Sequence, residues 1–346
     1  MKFKRLITTI DSHTEGQATR VVVAGFPNLP GKTMAGKKDF MRQNFECLRT
    51  AILHEPRGAT VSTGGIITPP VTEEAAFGII WLEFGEGTEG RYIDMCGHGS
   101  IGVAVTAVEM GIVEPKEPVT EVAFDTPAGL VHARVNVEDG RAKSVTIQNV
   151  PSFLYKTEVI NVPDRGELKV DIAFGGINYA FVEAKDLGIG TSAADINNAH
   201  SLIAKVIIAV NEQVKIQHPE KPYIKGVCGL QITDKPTHPE ATVRSICTEP
   251  VVRETLDSDV KIDRSPCGTG TSARMAVRHA KGELAIGETF VTESVLGLVF
   301  YGKLVRETNV GGIKAVVPEV TGRAFITGVN QLMIDEDDPL KYGYLL

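Results

Sequence analysis

Met95-Cys96-Gly97-His98-Gly99-Ser100-Ile101-Gly102 and Pro266-Cys267-Gly268-Thr269-Gly270-Thr271-Ser272-Ala273 are two renderings of one pattern. Each is a cysteine, a Gly-x-Gly, a hydroxyl residue, and then small and apolar residues that read as a helix. The two cysteines stand about half of the 346-residue chain apart. Self-similarity at that spacing predicts two related lobes, each presenting one thiol at the start of a helix.

A cysteine in that place lies near unpaired backbone N–H groups and the positive end of the helix dipole, which favour thiolate over thiol. From an unperturbed value of roughly 8.5, a modest fall makes a usable base near neutral pH. The same N–H groups can hold an anion, and the glycines let it approach. Two such helix starts facing each other would grip one carboxylate and leave one sulfur on each face of the adjoining carbon. That arrangement suits removal of the α-proton of an amino acid on one face and return of a proton on the other.

Outward from the motifs, Arg91 to Met95 reads as a strand running into Cys96, and Ser100 to Gly111 as a helix apolar nearly all round, hence buried. Thr271 to Lys281 is the second motif helix, ended by Gly282. Further strands are read at 3–10, 20–24, 77–84, 169–174, 179–183, 288–305 and 312–327, and as hairpins over 119–150 around Gly129 and Asp139-Gly140. Asp11 to Gln17 joins the first two strands as a turn or the edge of a site, and His13 lies in it. Lys37 to His54 and Ala193 to Gln213 each have the spacing of one helix. The stretch 59–70 is small and hydroxylic, 248–261 reads as an exposed charged loop, and 215–225 as a solvated face.

Composition narrows the class. With 42% hydrophobic and 23% charged residues the chain is globular, and its length favours two domains. Lys+Arg 36 against Asp+Glu 43 gives −7 without long basic runs, so nucleic acid is not an expected partner. The apolar part of the N-terminus is broken by Thr8 and Thr9 and ended by Asp11, too short for a signal-peptide core. No membrane span is read, and the cytosol is the expected compartment. The five cysteines, an odd number without CxxC spacing, are expected to be reduced. Cys47, Cys228 and Cys247 are read as buried apolar positions, and His132, His200, His218 and His279 as surface.

Three other readings compete. Gly97-x-Gly99-x-x-Gly102 also satisfies a dinucleotide fingerprint, which would make an NAD-type oxidoreductase, but it leaves the paired cysteines unexplained. Cys96-x-His98 with Cys267 is too tight for usual zinc spacings, so no metal is expected. Buried, inert cysteines in a protein that binds an amino acid without catalysis are the third.

The two cysteine motifs, the second extended to Asp263-Arg264-Ser265-Pro266, resemble the signatures of the proline racemase family. The resemblance spans nearly the whole chain, through Asp11-Ser12-His13-Thr14, Glu55-Pro56-Arg57-Gly58, Phe174-Gly175-Gly176 and 236–242. It implies an α+β, diaminopimelate-epimerase-like fold: two similar lobes, each a β-barrel-like sheet wrapped around a central helix, with the site in the cleft between them. The lobes are expected at 1–128, with the tail 326–346 packing on it, and at 129–325. The resemblance implies cofactor-independent racemisation or epimerisation in a homodimer. By position, Cys96 and Cys267 would be the acid/base pair, and His98 and Asp263 would hold the substrate amine. The N–H groups of Gly97, His98, Gly268 and Thr269 would take its carboxylate.

A branch of the family that dehydrates 3-hydroxyproline carries threonine at the second cysteine, so Cys267 argues for racemase or epimerase. Two segments depart from the family pattern: 59–64, where a histidine and a methionine are usual, and the long 248–261. In the family both border the pocket for the ring, so Thr60, Ser62 and Thr63 would make a more polar wall. Proline is the leading substrate expectation, 4-hydroxyproline the second, and another α-amino acid the third.

Overall fold

The computed structural model describes residues 3–59, 63–85, 88, 91–250 and 260–345. The chain opens with a hairpin of β1 (Phe3–Thr14) and β2 (Gln17–Ala24). After it come α1 (Met34–Asn44), α2 (Glu46–Leu53), β3 (Thr63–Thr68), β4 (Phe77–Leu82) and α3 (Gly97–Glu109). Three strands follow as a meander, β5 (Val119–Thr126), β6 (Gly129–Glu138) and β7 (Arg141–Gln148). Next are β8 (Phe153–Val162), β9 (Gly166–Phe174), β10 (Asn178–Glu183), α4 (Ala184–Leu187), α5 (Ala193–Asn198) and α6 (His200–Gln213). Then come β11 (Gly229–Asp234), β12 (Val243–Pro250), β13 (Val260–Ile262), α7 (Gly268–Ala280), β14 (Thr289–Glu293), β15 (Val299–Val310) and β16 (Ile313–Gly322). Finally β17 (Ala324–Asp335) pairs antiparallel with β1 along its length.

Two compact units result, Met1–Ile147 with Gly322–Leu346, and Gln148–Thr321. Because β5, β6 and β7 pair as one meander, the first unit runs on to Ile147 rather than stopping at the turn before Gly129. Each unit is α+β and packs its strands on one motif helix: α3 against β1, β2, β3, β5, β6 and β17, and α7 against β8, β9, β10 and β15. No helix among the described residues is long and apolar enough to cross a membrane.

Period-two alternation decides which face each strand gives to which helix. In the second unit Val170, Ile172, Ala180 and Val182 join a core with Ile203, Val206, Ile207 and Val210 of α6. Their neighbours Ala173, Tyr179 and Phe181 pack instead with Ala273 and Val277 of α7. The motif helices differ in exposure. Gly97 to Val108 of α3 is wholly buried, as an all-round apolar helix requires. By contrast α7 is amphipathic: Arg274 lies over the Phe181 ring and Lys281 pairs with Asp171 at 2.6 Å.

Several local expectations are corrected. The helix expected over Lys37 to His54 is two, broken at Phe45 (φ −133), whose ring packs edge-on against Phe26 and Phe40. Likewise Ala193 to Gln213 breaks at Ala199 between α5 and α6. Arg91 to Met95 forms no strand. Within 59–70, residues 63–68 are β3, where Gly65 lets the backbone close on Ile79 and Trp81; a Cβ there would meet Ile79 Cδ1 at 2.7 Å. The expected loop 248–261 is strand at both ends, since Thr248, Glu249 and Pro250 pair with Ile262, Lys261 and Val260. Its middle, 251–259, lies outside the described residues. His218 is buried, edge-on to Phe153 and Phe174, with Ile216 buried beside it, so 215–225 is not a solvated face throughout. Finally, β1 and β2 absorb most of Asp11 to Gln17, leaving a tight turn at Glu15 and Gly16 with φ 42 and 97.

Candidate active site

The first thiol is built by α3. Cys96 is its N-cap in extended conformation (φ −131, ψ 116), and its carbonyl accepts from Ser100 N at 2.9 Å. The sulfur is buried and lies 3.5 Å from His98 Nδ1 and 3.8 Å from Nε2. The hydroxyl of Thr14, at the end of β1, donates to the His98 carbonyl at 2.9 Å, tying the first turn of α3 to the hairpin. Gly99 makes room for the sulfur: a Cβ there would stand 3.0 Å from Cys96 Sγ and 2.7 Å from the Trp81 ring.

The second thiol is built by α7. Cys267 caps it with φ +64 and ψ 105, a backbone conformation that L side chains rarely adopt. Such an outlier persists only where its surroundings hold it. Here Ser265 Oγ accepts from Cys267 N at 3.2 Å, and Thr271 N donates to the Cys267 carbonyl at 2.8 Å. Around the sulfur, Gly270 N donates to it at 3.3 Å, and the Tyr179 hydroxyl lies at 3.3 Å. Tyr179 also meets Thr269 Oγ1 at 2.9 Å. Burial, and then the Cys267 sulfur, hold the Tyr179 phenol well above its usual range, so it keeps its proton and can donate it.

Asp263 enters through the β12–β13 pairing. Its N–H donates to the Cys247 carbonyl at 3.0 Å, and its Oδ1 accepts from Ser265 N at 2.8 Å and Ser265 Oγ at 2.9 Å. Carboxylate, Cys267 sulfur and Cys247 sulfur all lie within 4.8 Å of one another. A hydrogen bond with Cys267, reinforced by burial, pushes the Cys247 thiol well up.

The expected residues are therefore grouped by unit. Cys96, Gly97 and His98 stand together at the start of α3, and Asp263, Cys267, Gly268 and Thr269 at the start of α7. Gly97–His98 and Gly268–Thr269 are first-turn residues, whose N–H groups point along the axis out of the helix N-terminus. The Phe174-Gly175-Gly176 segment lies against the first turn of α7. A Cβ on Gly175 would stand 2.2 Å from the Thr269 carbonyl, and Asn149 Nδ2 clamps the contact by donating to Gly175 O and Ser272 Oγ, both at 2.8 Å.

Other expectations fare differently. Thr60 and Ser62 lie outside the described residues. Thr63 is fully buried in β3 and its hydroxyl donates to Glu83 at 3.1 Å, so it already has an acceptor inside the protein. His13 is not in the turn but near the end of β1: its Nδ1 accepts from Gly16 N at 3.3 Å and its ring packs on Phe325. Cys47 and Cys228 are half-buried, while Cys247 is buried as expected. Tyr179, and the approach of Cys247 to Cys267, went unread. Both sit within strands, β10 and β12, where nothing in the sequence marks them as facing a thiol.

Known proteins match the chain from end to end. A proline racemase of Clostridioides difficile is 46% identical over 347 residues, covering 100% of both chains. A 4-hydroxyproline 2-epimerase of Streptosporangium roseum is 41% identical over 347 residues, again covering 100% of both. The crystal structure of a hydroxyproline epimerase from Agrobacterium vitis with bound trans-4-hydroxy-L-proline superposes with a TM-score of 0.88 at 33% identity, covering 100% of this chain and 96% of that one. The family described as proline racemase matches residues 9–345, and with both cysteine motifs inside that span the chain belongs to the proline racemase family.

Proposed function

We propose that this chain inverts the α-carbon of proline by proton transfer between two thiols, Cys96 and Cys267, without a cofactor. The carrying observation is that each unit presents one buried cysteine as the N-cap of a helix, with a polar partner beside the sulfur. The thiolate of one cysteine takes the α-proton: the C–H bond breaks, an S–H bond forms, and the electron pair passes into the carboxylate. The other cysteine, as thiol, gives its proton to the opposite face. The two exchange roles when the other enantiomer binds.

The remaining roles follow from charge. First-turn N–H groups of Gly97, His98, Gly268 and Thr269 would hold the carboxylate as negative charge builds on it, a stabilisation aligned before the reaction begins. His98 and Asp263 would hold the amine. Asp263, oriented by Ser265, suits a cation. Action in the cytosol and as a homodimer belongs to the same proposal.

Among substrates proline leads, because the Clostridioides difficile relative is named for it and matches end to end. 4-Hydroxyproline is second, supported by the names of the Streptosporangium roseum and Agrobacterium vitis relatives. The Thr63 hydroxyl, engaged with Glu83, gives it no further support.

The test is incubation in D₂O with L-proline, trans-4-hydroxy-L-proline and a panel of other L-amino acids, following loss of the α-proton by NMR. Exchange with inversion on proline, abolished in Cys96→Ser and in Cys267→Ser, is expected. Exchange that survives either substitution would remove the two-thiol mechanism, and no exchange on any substrate would remove the racemase assignment.

A further inference from the structure

The second unit carries a thiol that the proposed chemistry does not use. Cys247 in β12 is buried, and its sulfur, the Cys267 sulfur and an Asp263 carboxylate oxygen lie within 4.8 Å of one another. We propose that these residues form a binding site for one borderline-soft divalent cation of the Zn²⁺ type, separate in purpose from proton transfer.

Donor set and spacing both fit. Zn²⁺ prefers thiolate and carboxylate donors at about 2.3 and 2.0–2.2 Å in a tetrahedron, which puts ligand atoms roughly 3.5–3.8 Å apart. The present separations need to contract by no more than about 1.3 Å to reach that. Three protein ligands leave the fourth position open to water or to a small ligand. As each Zn–S bond forms, any proton still on that sulfur passes to solvent.

Outer support is already in place. Ser265 fixes the Asp263 carboxylate through two hydrogen bonds, and the Tyr179 hydroxyl and Gly270 N–H orient the Cys267 sulfur. Partners of that kind hold metal ligands in register. The Asp263 N–H to Cys247 O bond, just past the β12–β13 pairing, ties the backbones of two of the three donor residues together. All three residues belong to one unit, so the site is complete without Cys96 or His98.

A cation held there would take the Cys267 sulfur out of proton transfer. That consequence rests on the proposed function, whereas the binding itself does not. The test is titration of the chelator-treated protein with Zn²⁺ by calorimetry and with Co²⁺ by the near-ultraviolet thiolate-to-metal absorption. One equivalent is expected to bind. Cys247→Ser should weaken Zn²⁺ at least roughly tenfold and halve the Co²⁺ absorption. Asp263→Asn should weaken Zn²⁺ while keeping the absorption, and Cys96→Ser should change neither. Equal affinity and absorption in wild type and Cys247→Ser would overturn the proposal, as would loss of binding in Cys96→Ser. Intact Zn²⁺ binding by a protein that exchanges no α-proton would uphold this site and overturn the racemase assignment alone.

Discussion

The Tyr179 hydroxyl lies 3.3 Å from the Cys267 sulfur, whereas Cys96, at the matching position of the other motif, has the His98 ring 3.5 Å away. The two thiols are thus equivalent in sequence pattern but not in surroundings. A protonated phenol donates to the sulfur when Cys267 is thiolate and can accept from it when Cys267 is thiol. An imidazole can donate or accept according to its tautomer.

Tyr179→Phe therefore removes one hydrogen bond from the sulfur while keeping the buried ring. A hydrogen bond to a charged group is worth about 1.5–3 kcal/mol, so kcat should fall roughly ten- to a hundredfold. The free energies of the two enantiomers are equal, so kcat/KM must fall alike in both directions. KM should stay within about twofold, because Tyr179 acts through Cys267 and Thr269. Steady-state kinetics from both enantiomers decides it, and a rise in KM at unchanged kcat would show that Tyr179 instead touches the substrate.

Which parts were legible in the sequence follows from where the signal lies. The helix after Cys96 could be read because Ile101, Val103, Ala104, Val105, Ala107 and Val108 leave no polar face, and all are buried. The meander over 119–148 could be read because alternation survives wherever one sheet face is wet; β6 alternates buried and exposed along most of its length. Breaks at Phe45 and Ala199 could not, since neither is glycine or proline and tertiary packing imposes them. Cys96 and Cys267 stood out through their glycines. Tyr179 and Cys247 did not, because a residue facing a thiol from a strand looks the same in sequence as one facing the core. The segment 236–242 resembled the family without disclosing its task, which is to place the N–H groups of Thr237 and His238 on the Glu293 carboxylate at 2.6 and 2.9 Å.

The backbone at Cys267 makes a second prediction. A non-glycine residue at φ +64 and ψ 105 costs of order 1–3 kcal/mol, and glycine is largely spared that cost. Both Cys267→Ala and Cys267→Gly lose the thiol, so stability separates the strain from the chemistry. Cys267→Gly should be the more stable by about 1 kcal/mol in urea unfolding, less than the full strain because glycine also loses more entropy on folding. Equal stability would mean that the backbone relaxes and stores nothing.

Gly99 tests the seat of the other sulfur. An added Cβ would lie 3.0 Å from Cys96 Sγ and 2.7 Å from the Trp81 ring, closer than such contacts normally occur. Trp81 is fully buried and cannot retreat easily. Gly99→Ala should therefore push the sulfur and the first turn of α3 out of place, and a displacement near 1 Å costs about a hundredfold in turnover. Circular dichroism should remain native, and Gly111→Ala supplies the contrast: its φ of +70 is strained but nothing lies within 4 Å of the added carbon, so it should cost stability and not turnover.

Glu293 carries the last prediction, a pH dependence of stability in the second unit. Its side chain is fully buried, and burial alone would raise its pKa. The opposing interactions win: N–H groups of His238 and Thr237, the Thr237 hydroxyl and the Arg244 guanidinium at 2.5 Å all favour the charged form, so the carboxyl lies below its usual range. A carboxylate depressed in the folded state binds fewer protons there than in the unfolded chain. Its stabilisation is therefore fully present above the unfolded value, roughly 4.3, and is lost as pH falls from there through the folded value. Glu293→Gln leaves Arg244 without its carboxylate in a buried setting and should cost about 3–5 kcal/mol at pH 7. Below roughly pH 4.3 the gap between wild type and variant should narrow, because wild type is losing the same charge. Urea unfolding at pH 7 and pH 3.5, read by amide exchange within β12 and β14, measures both quantities. A gap that stays constant between the two pH values would show that the Glu293 charge is not what holds this corner together.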